Sequence, residues 1–440
     1  MLEQDNTTSQ VDSQVSKRAR AYHEQCFEYS KRPDLTSKYP RVALDNLHMT
    51  RVLGSGAFAT VLAVRATSME ASTSTSLETK KRSRQISNFS SCSTQILDSD
   101  GEECESSSSE DEQEQEVFAL KQLKPSLDHE NLDRAIADLV TEARLLAEVS
   151  HPHIVSLRAI SSGPKFDKTF FIVIDRLHVS LKKRMQEWRV EDHHFSGFSG
   201  RLHDWNGHRR TALFQERLHA ARDLGSALQY LHENRIVFRD LKPENLAFNK
   251  KGQIQLFDFG LAKELPALYH KNDLYNMTPH TGTLKYMAPE VAVGQPYNEA
   301  CDVYSFAILL WEMLSLKTAF SSYSNKLLEE MVVRMPYRRP TRHNKWPKEL
   351  REMMHRAWSP RIRDRPSAKE MELMLMDLCL EDNLPTKRHT MVVHHKSHHF
   401  SKFHLFHHKH SGHSHHHPHP QDTDDCSSSI HVEPLSISIH

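Results

Sequence analysis

The stretch Phe238-Arg239-Asp240-Leu241-Lys242-Pro243-Glu244-Asn245 is a charged loop caught between two apolar runs of different period. Upstream, Leu224, Ala227, Leu228 and Leu231 fall at i, i+3, i+4 and i+7, one face of a helix. Downstream, Ile254-Gln255-Leu256-Phe257 is a short strand-like run that ends at Asp258-Phe259-Gly260. The chain must therefore pass from helix to polar loop to strand within about thirty residues. It also leaves Asp240, Asn245 and Asp258 on loops at element ends, where binding and catalytic side chains concentrate.

The chain before this loop supplies further polar groups on predicted elements. Arg51 to Val64 reads as strand, glycine turn, strand, with Leu53-Gly54-Ser55-Gly56-Ala57-Phe58-Ala59-Thr60-Val61 at its centre. Glycines let backbone amides approach phosphate oxygens closely, although a lone G-x-G is most often only a turn. Val117-Phe118-Ala119-Leu120-Lys121 is an apolar strand ending in a lysine. Leu132 to Val149 carries an apolar stripe of Ile136, Leu139, Val140, Ala143, Leu146 and Ala147, and so reads as a helix bearing Glu142. Ile154 to Ala159 and Phe170 to Ile174 read as two more strands. A helix is expected over Leu213 to His232 and a last one over Met371 to Leu380.

Taken together and in this order, these motifs resemble those of the protein kinase family, from Leu53 to Arg365. The resemblance implies a bilobal α+β fold: a small N-lobe with an antiparallel sheet and one helix, and a larger helical C-lobe. It implies ATP and Mg2+ as cofactors. Leu53 to Ala59 would form the glycine-rich loop over the nucleotide, with Val61 after it packing on the adenine and Ala119 also among the nucleotide-binding residues. Lys121 would hold the α- and β-phosphates and pair with Glu142. Ile174 would be the gatekeeper, and Asp175 and Leu177 hinge residues. Asp240 would be the general base or the orienting acceptor for a substrate hydroxyl, and Lys242 would neutralise charge on the transferring group. Asn245 and Asp258 would bind metal. Thr283 would bond Asp240 and Lys242, Asp302 would hold the catalytic-loop backbone, and Arg365 would pair with Glu290. Arg239 suggests a pocket for a phosphate on the activation segment, with Thr278, Thr281, Tyr269 and Tyr275 as candidate sites for an upstream activating kinase. Lys242 favours Ser/Thr substrates on other proteins, and the helix with Tyr304 and Trp311-Glu312-Met313 is similar to the tyrosine-kinase-like group. Two positions depart from the family pattern: Ala59, where a third glycine is usual, and Phe238, where histidine is usual. They are the features on which the alternative, a pseudokinase that uses the fold as a binding scaffold, would rest.

Composition sets the boundaries around this domain, expected over 47–380. Residues 1–46 are polar without a sustained period and are expected to be a disordered or loosely docked arm. Residues 66–116 are poor in apolar residues and rich in Ser and acid, with Ser106 to Ser109 in a row, and are expected to be a disordered, regulatory or merely solvated insert. Closing such a loop is tolerable because its entropy cost grows only logarithmically with length. A second insert is expected over 191–210, and a disordered tail over 381–440 whose histidine runs would make it a solvated segment or a metal or pH sensor. Lys+Arg 57 against Asp+Glu 57 gives no global case for nucleic-acid binding. Six scattered Cys without a C-x-x-C pair fit a reducing compartment. No apolar run approaches the span of about 20 residues needed to cross a membrane. The expected location is cytoplasmic or, through Lys80-Lys81-Arg82-Ser83-Arg84, nuclear.

Overall fold

A computed structural model describes residues 2–28, 30, 32–65, 118–196, 204, 207–266, 273–335, 338–341 and 344–380. The acidic insert 66–116, Val117, Tyr269, residues 197–203 and 205–206 of the second insert, and the tail 381–440 lie outside the described residues.

In chain order the N-terminal part consists of helix α1 (Leu2–Cys26), strands β1 (Arg41–Val42), β2 (His48–Ser55), β3 (Ala59–Arg65) and β4 (Phe118–Leu123), helix α2 (His129–Glu148), and strands β5 (Leu157–Ser161) and β6 (Phe171–Asp175). The six strands form one sheet in the order β1-β5-β6-β4-β3-β2. All pairings are antiparallel except the edge strand β1, which runs parallel to β5. Strand β4 sits inside the sheet, with Lys121 opposite Val61 on β3 and Ile172 on β6. Alternation sends Leu120 to one face, where it packs with Leu47, Val64 and Val173. Ala119 and Leu123 go to the other face, into the main core with α2. Lys121 shares their parity and so points towards α2. Asp128 caps α2 by accepting the backbone N–H of Asn131 at 3.1 Å.

The expectation of a loose N-terminal arm is corrected. Residues Leu2–Cys26 form α1, and Val15, Ala19, His23 and Phe27 are buried, each four residues from the last. This i, i+4 stripe lies along α2. One buried residue per turn was too sparse a pattern to register against a polar background, but α2 provides the complementary surface.

The C-terminal part is mainly helical: β7 (Val179–Ser180), α3 (Leu181–Ser196), α4 (His208–Glu233), β8 (Ile236–Val237), β9 (Leu246–Phe248), β10 (Ile254–Leu256), β11 (Lys263–Glu264), α5 (Pro289–Ala292), α6 (Ala300–Ser315), α7 (Asn325–Leu328), α8 (Lys348–Ala357) and α9 (Ala368–Leu380). The expected insert over 191–210 is partly helical. Helix α3 runs to Ser196, and α4 begins at His208, where Asp204 accepts the backbone N–H groups of Arg209 and Arg210. Helix α6 is buried along its length from Cys301 to Leu314. This continuous burial explains why its sequence is apolar on every face apart from polar residues such as the hydrogen-bonded carboxylates Asp302 and Glu312, as expected of a helix at the centre of a domain.

Candidate active site

Lys121 joins three elements. Its Nζ lies 2.5 Å from Glu142 Oε2 on α2 and 2.6 Å from Asp258 Oδ1 in the loop after β10. Burial alone would favour a neutral lysine. The Asp258 and Glu142 carboxylates outweigh it and hold the Lys121 pKa above its ordinary value. Lys121, with a smaller contribution from Lys242, keeps the Asp258 carboxyl below the usual carboxylate range. Burial pushes Glu142 up, against the pull of Lys121. The geometry thus fixes a charged lysine between one deeply buried carboxylate and one half-open to the cleft, the Asp258 side chain being 43% exposed.

Asp240 forms the second cluster. Its carboxylate accepts from Lys242 Nζ at 2.6 Å, Thr283 Oγ1 at 2.9 Å and Asn245 Nδ2 at 3.0 Å. Lys242 also reaches Thr283 at 3.2 Å. The loop carrying these groups is held from below by Asp302, which is fully buried. It accepts the backbone N–H groups of Phe238 and Arg239, both at 2.8 Å, and contacts His232 Nε2 at 3.0 Å. Those two bonds hold Arg239 in the left-handed region at φ 70, a conformation that costs a non-glycine residue of order 1 kcal/mol or more. Gly282 brings the activation segment onto this loop. Its φ is 101, and a Cβ there would stand 2.4 Å from the Arg239 carbonyl oxygen.

The two departures from the expected pattern are both accommodated. Phe238 is buried and packs edge-on against Phe259, ring centroids 5.2 Å apart. Ala59 opens β3 without positive φ, and its carbonyl accepts the Gly56 N–H at 2.9 Å. Gly54 and Gly56 also lack positive φ. A Cβ would meet nothing within 4 Å at Gly54 and only the Ala59 carbonyl, at 3.8 Å, at Gly56. The turn's own packing therefore does not demand glycine at either position.

The remaining candidates are placed as follows. Leu53 is half-buried, Ser55, Ala57 and Phe58 are exposed, and Val61 is half-buried under the turn. Ala119 and Ile174 are buried opposite one another on β4 and β6. Asp175 ends β6 and is turned aside by a two-bond pair with Arg158 at 2.6 and 2.7 Å, and Leu177 follows, half-buried. Arg365 pairs with Glu290 through two bonds of 2.6 and 2.7 Å. Thr278 is exposed, whereas Thr281 is buried with its hydroxyl donating to the Thr278 carbonyl.

Sequence reading missed Asp138, one turn before Glu142. Its Cβ lies 3.2 Å from where a Cβ on Gly260 would stand, and burial raises its pKa to about 6. A buried helix acid and a surface one look alike in sequence. The spacing of four from Glu142, which puts both on one face, was the available signal. The 760 Å³ cleft lined by Arg339, Arg356, Trp358, Arg361 and Arg363 shares no residue with this site. Among the described residues no cluster of three or more His, Cys, Asp or Glu offers a self-contained metal site. No helix among them is long and apolar enough to cross a membrane.

A family model described as "Protein kinase domain" matches residues 100–374, more than half of the chain. The chain belongs to the protein kinase family. The match takes in the kinase domain's Lys121, Glu142, Asp240, Asn245 and Asp258 but begins after the glycine turn, whose assignment rests on its place in the sheet. The kinase domain is similar to human "Serine/threonine-protein kinase Nek10", 29% identical over 59% of this chain and 20% of that protein. It is similar to "Serine/threonine-protein kinase VIK" of Arabidopsis thaliana, 29% identical over 62% of this chain and 56% of that protein. It also resembles "Dual specificity protein kinase shkC" of Dictyostelium discoideum, 34% identical over 38% of this chain and 33% of that protein. The chain therefore spans less than two thirds of the length of each of these relatives.

Proposed function

We propose that the chain is a protein serine/threonine kinase that moves the γ-phosphoryl group of ATP to Ser and Thr hydroxyls of other proteins. The observation that carries this reading is the joint assembly of Lys121 between Glu142 and Asp258 with Asp240 between Lys242, Thr283 and Asn245. Asp240 would accept the proton of the substrate hydroxyl as the oxygen–phosphorus bond forms and the bond to the β-phosphate oxygen breaks. Lys242 would offset the charge on the group in flight, and Lys121 would orient the α- and β-phosphates. The room left by Gly54 and Gly56 suits phosphate oxygens approaching the backbone.

Asn245 and Asp258 offer an amide oxygen and a charged carboxylate. Two such ligands fit Mg2+, which keeps waters and takes phosphate oxygens for the rest. When bound, the ion supplies charge neutralisation on the phosphates. Ala59 and Phe238 do not support the scaffold alternative, since both fit their places without disturbing a charged group. Thr278, exposed on the activation segment, is the favoured site for an upstream kinase.

Transfer of labelled phosphate to a Ser/Thr peptide library with Mg2+ tests the reading. Wild type should label Ser and Thr, and Asp240→Asn should not. Equal background labelling by the two proteins would sink the enzymatic reading. Labelling of Tyr peptides at a comparable rate would replace it with dual specificity.

A further inference from the structure

Helix α2 is buried on more sides than a surface helix should be. Ala135, Ile136 and Ala137 are each at most 3% exposed, and so are all residues from Leu139 to Ala143. An amphipathic helix packed only on a sheet would expose roughly half of such a run. The covering element on the outer side is the N-terminal segment. His23 Nδ1 and Thr141 Oγ1 are 3.1 Å apart in the buried interior of this contact. Arg18 pairs with Asp133 at 2.9 Å. The Arg144 guanidinium lies 3.7 Å from the centroid of the Phe27 ring, and its Nη2 donates to the Arg32 carbonyl at 3.2 Å. Arg32 then reaches past α2, with Nε 3.2 Å from Glu264 on β11 and Nη2 on the Asn234 carbonyl after α4. Residues of α1 from Val15 on, with Phe27 and Arg32, thus grip the outer face of α2 from Asp133 to Glu148, and Arg32 ties this contact to the helical part of the domain.

Thr141 is the neighbour in sequence of Glu142, the residue that sets Lys121. We propose that His23 and Phe27 are positioning residues for phosphotransfer, holding α2 so that Glu142 meets Lys121, and that the N-terminal segment is an intramolecular clamp on this pair. The proposal rests on the kinase reading. It goes further by assigning a role in the reaction to a segment outside the residues matched to the family. Neither residue touches nucleotide or substrate; they act through Glu142. His23 is fit for this place because it is neutral there: burial, then Lys165 and Arg144, lower its pKa to about 4, so no charge is trapped under α2.

The test uses the full chain with His23→Ala, Phe27→Ala and the pair, each alone and combined with Glu142→Gln. The double variant should lower kcat about tenfold or more, a change of about 1.4 kcal/mol in the barrier, and raise KM for ATP while leaving KM for peptide in place. His23→Gln, which keeps a neutral hydrogen-bonding side chain, should restore most of the loss. In the Glu142→Gln background the same pair should change kcat less than about twofold, because the route is already cut. An equal loss in both backgrounds overturns the proposal, since it shows a general structural role, and so does no loss at all. Hydrogen exchange on the same proteins separates this from the kinase reading. If wild type transfers no phosphate, that reading fails by itself. The clamp then stands if amides over 129–148 exchange faster in the variant while those over 300–315 do not, and falls if 129–148 is unchanged.

Discussion

The two flanks of α2 are both covered, but by different means. The inner flank carries Asp138 and Glu142 and is covered by charge: Lys121, Arg239 and the loop at Asp258. The outer flank carries Thr141 and is covered at its centre by the neutral side chains of Val15, Ala19, His23 and Phe27, with charged contacts such as Arg18–Asp133 at its margin. On the proposed function, charge at the inner flank would serve chemistry, with Lys121 staying ionised as an incoming polyphosphate joins its partners. Neutral packing at the centre of the outer flank serves placement, because a close apolar fit resists small shifts better than solvated pairs do. One helix can thus be electrically responsive on one side and mechanically fixed on the other.

The comparison is tested hardest at its charged side. Lys121→Met should lower phosphotransfer by about 10³-fold with little change in the unfolding midpoint, measured by peptide phosphorylation and thermal melting. A large fall in stability would mean that the inner flank is structural after all. On the outer flank the order should reverse. Val15→Asp should cost about 2–4 kcal/mol in denaturant titration, because a carboxylate is forced into the α1–α2 contact. A cost below about 0.5 kcal/mol would remove α1 from the fold.

The flanks should also oppose one another in pH. His23, depressed to about 4, binds fewer protons folded than unfolded between pH 4 and 6.5, so its contribution makes stability rise with pH across that window. Asp138, raised to about 6, binds more protons folded than unfolded between pH 3.8 and 6, so its contribution makes stability fall with rising pH there. Asp138→Asn should therefore steepen the rise of unfolding free energy from pH 4 to 6, and His23→Gln should flatten or invert it. Slopes unchanged by either substitution would show that neither group is buried as described. The smallest effect is expected at Phe238→Leu, which loses the edge-on contact with Phe259 and should cost about 1 kcal/mol with kcat within about threefold. A far larger loss of kcat would make that ring part of the site.

The inner flank was legible because its residues lie on elements with strong periods: Lys121 at a strand end, Glu142 on an apolar-striped helix, Asp258 after a strand. Family resemblance then named their partners. The outer flank was not. Val15, Ala19, His23 and Phe27 form a stripe one residue wide whose members include an alanine and a histidine, and only the surface of α2 reveals that it is apolar in use. The support of Asp302 was anticipated from resemblance, but the approach of His232 to it was not, because a contact across 70 residues leaves no local trace. Asp175 was read as a hinge residue, and its side chain is spent on Arg158, which no periodicity foretells.

Gly282 carries a consequence of handedness. Its backbone, at φ 101, is of the kind that D-residues favour, and the hydrogen occupying the L side-chain position faces the Arg239 carbonyl. The distance between the segment bearing Thr283 and the loop bearing Asp240 is thus set by an absent carbon atom. Every L-residue, alanine included, would wedge the two apart. The position is closed to gradual change, since no side chain is small enough to serve as an intermediate step.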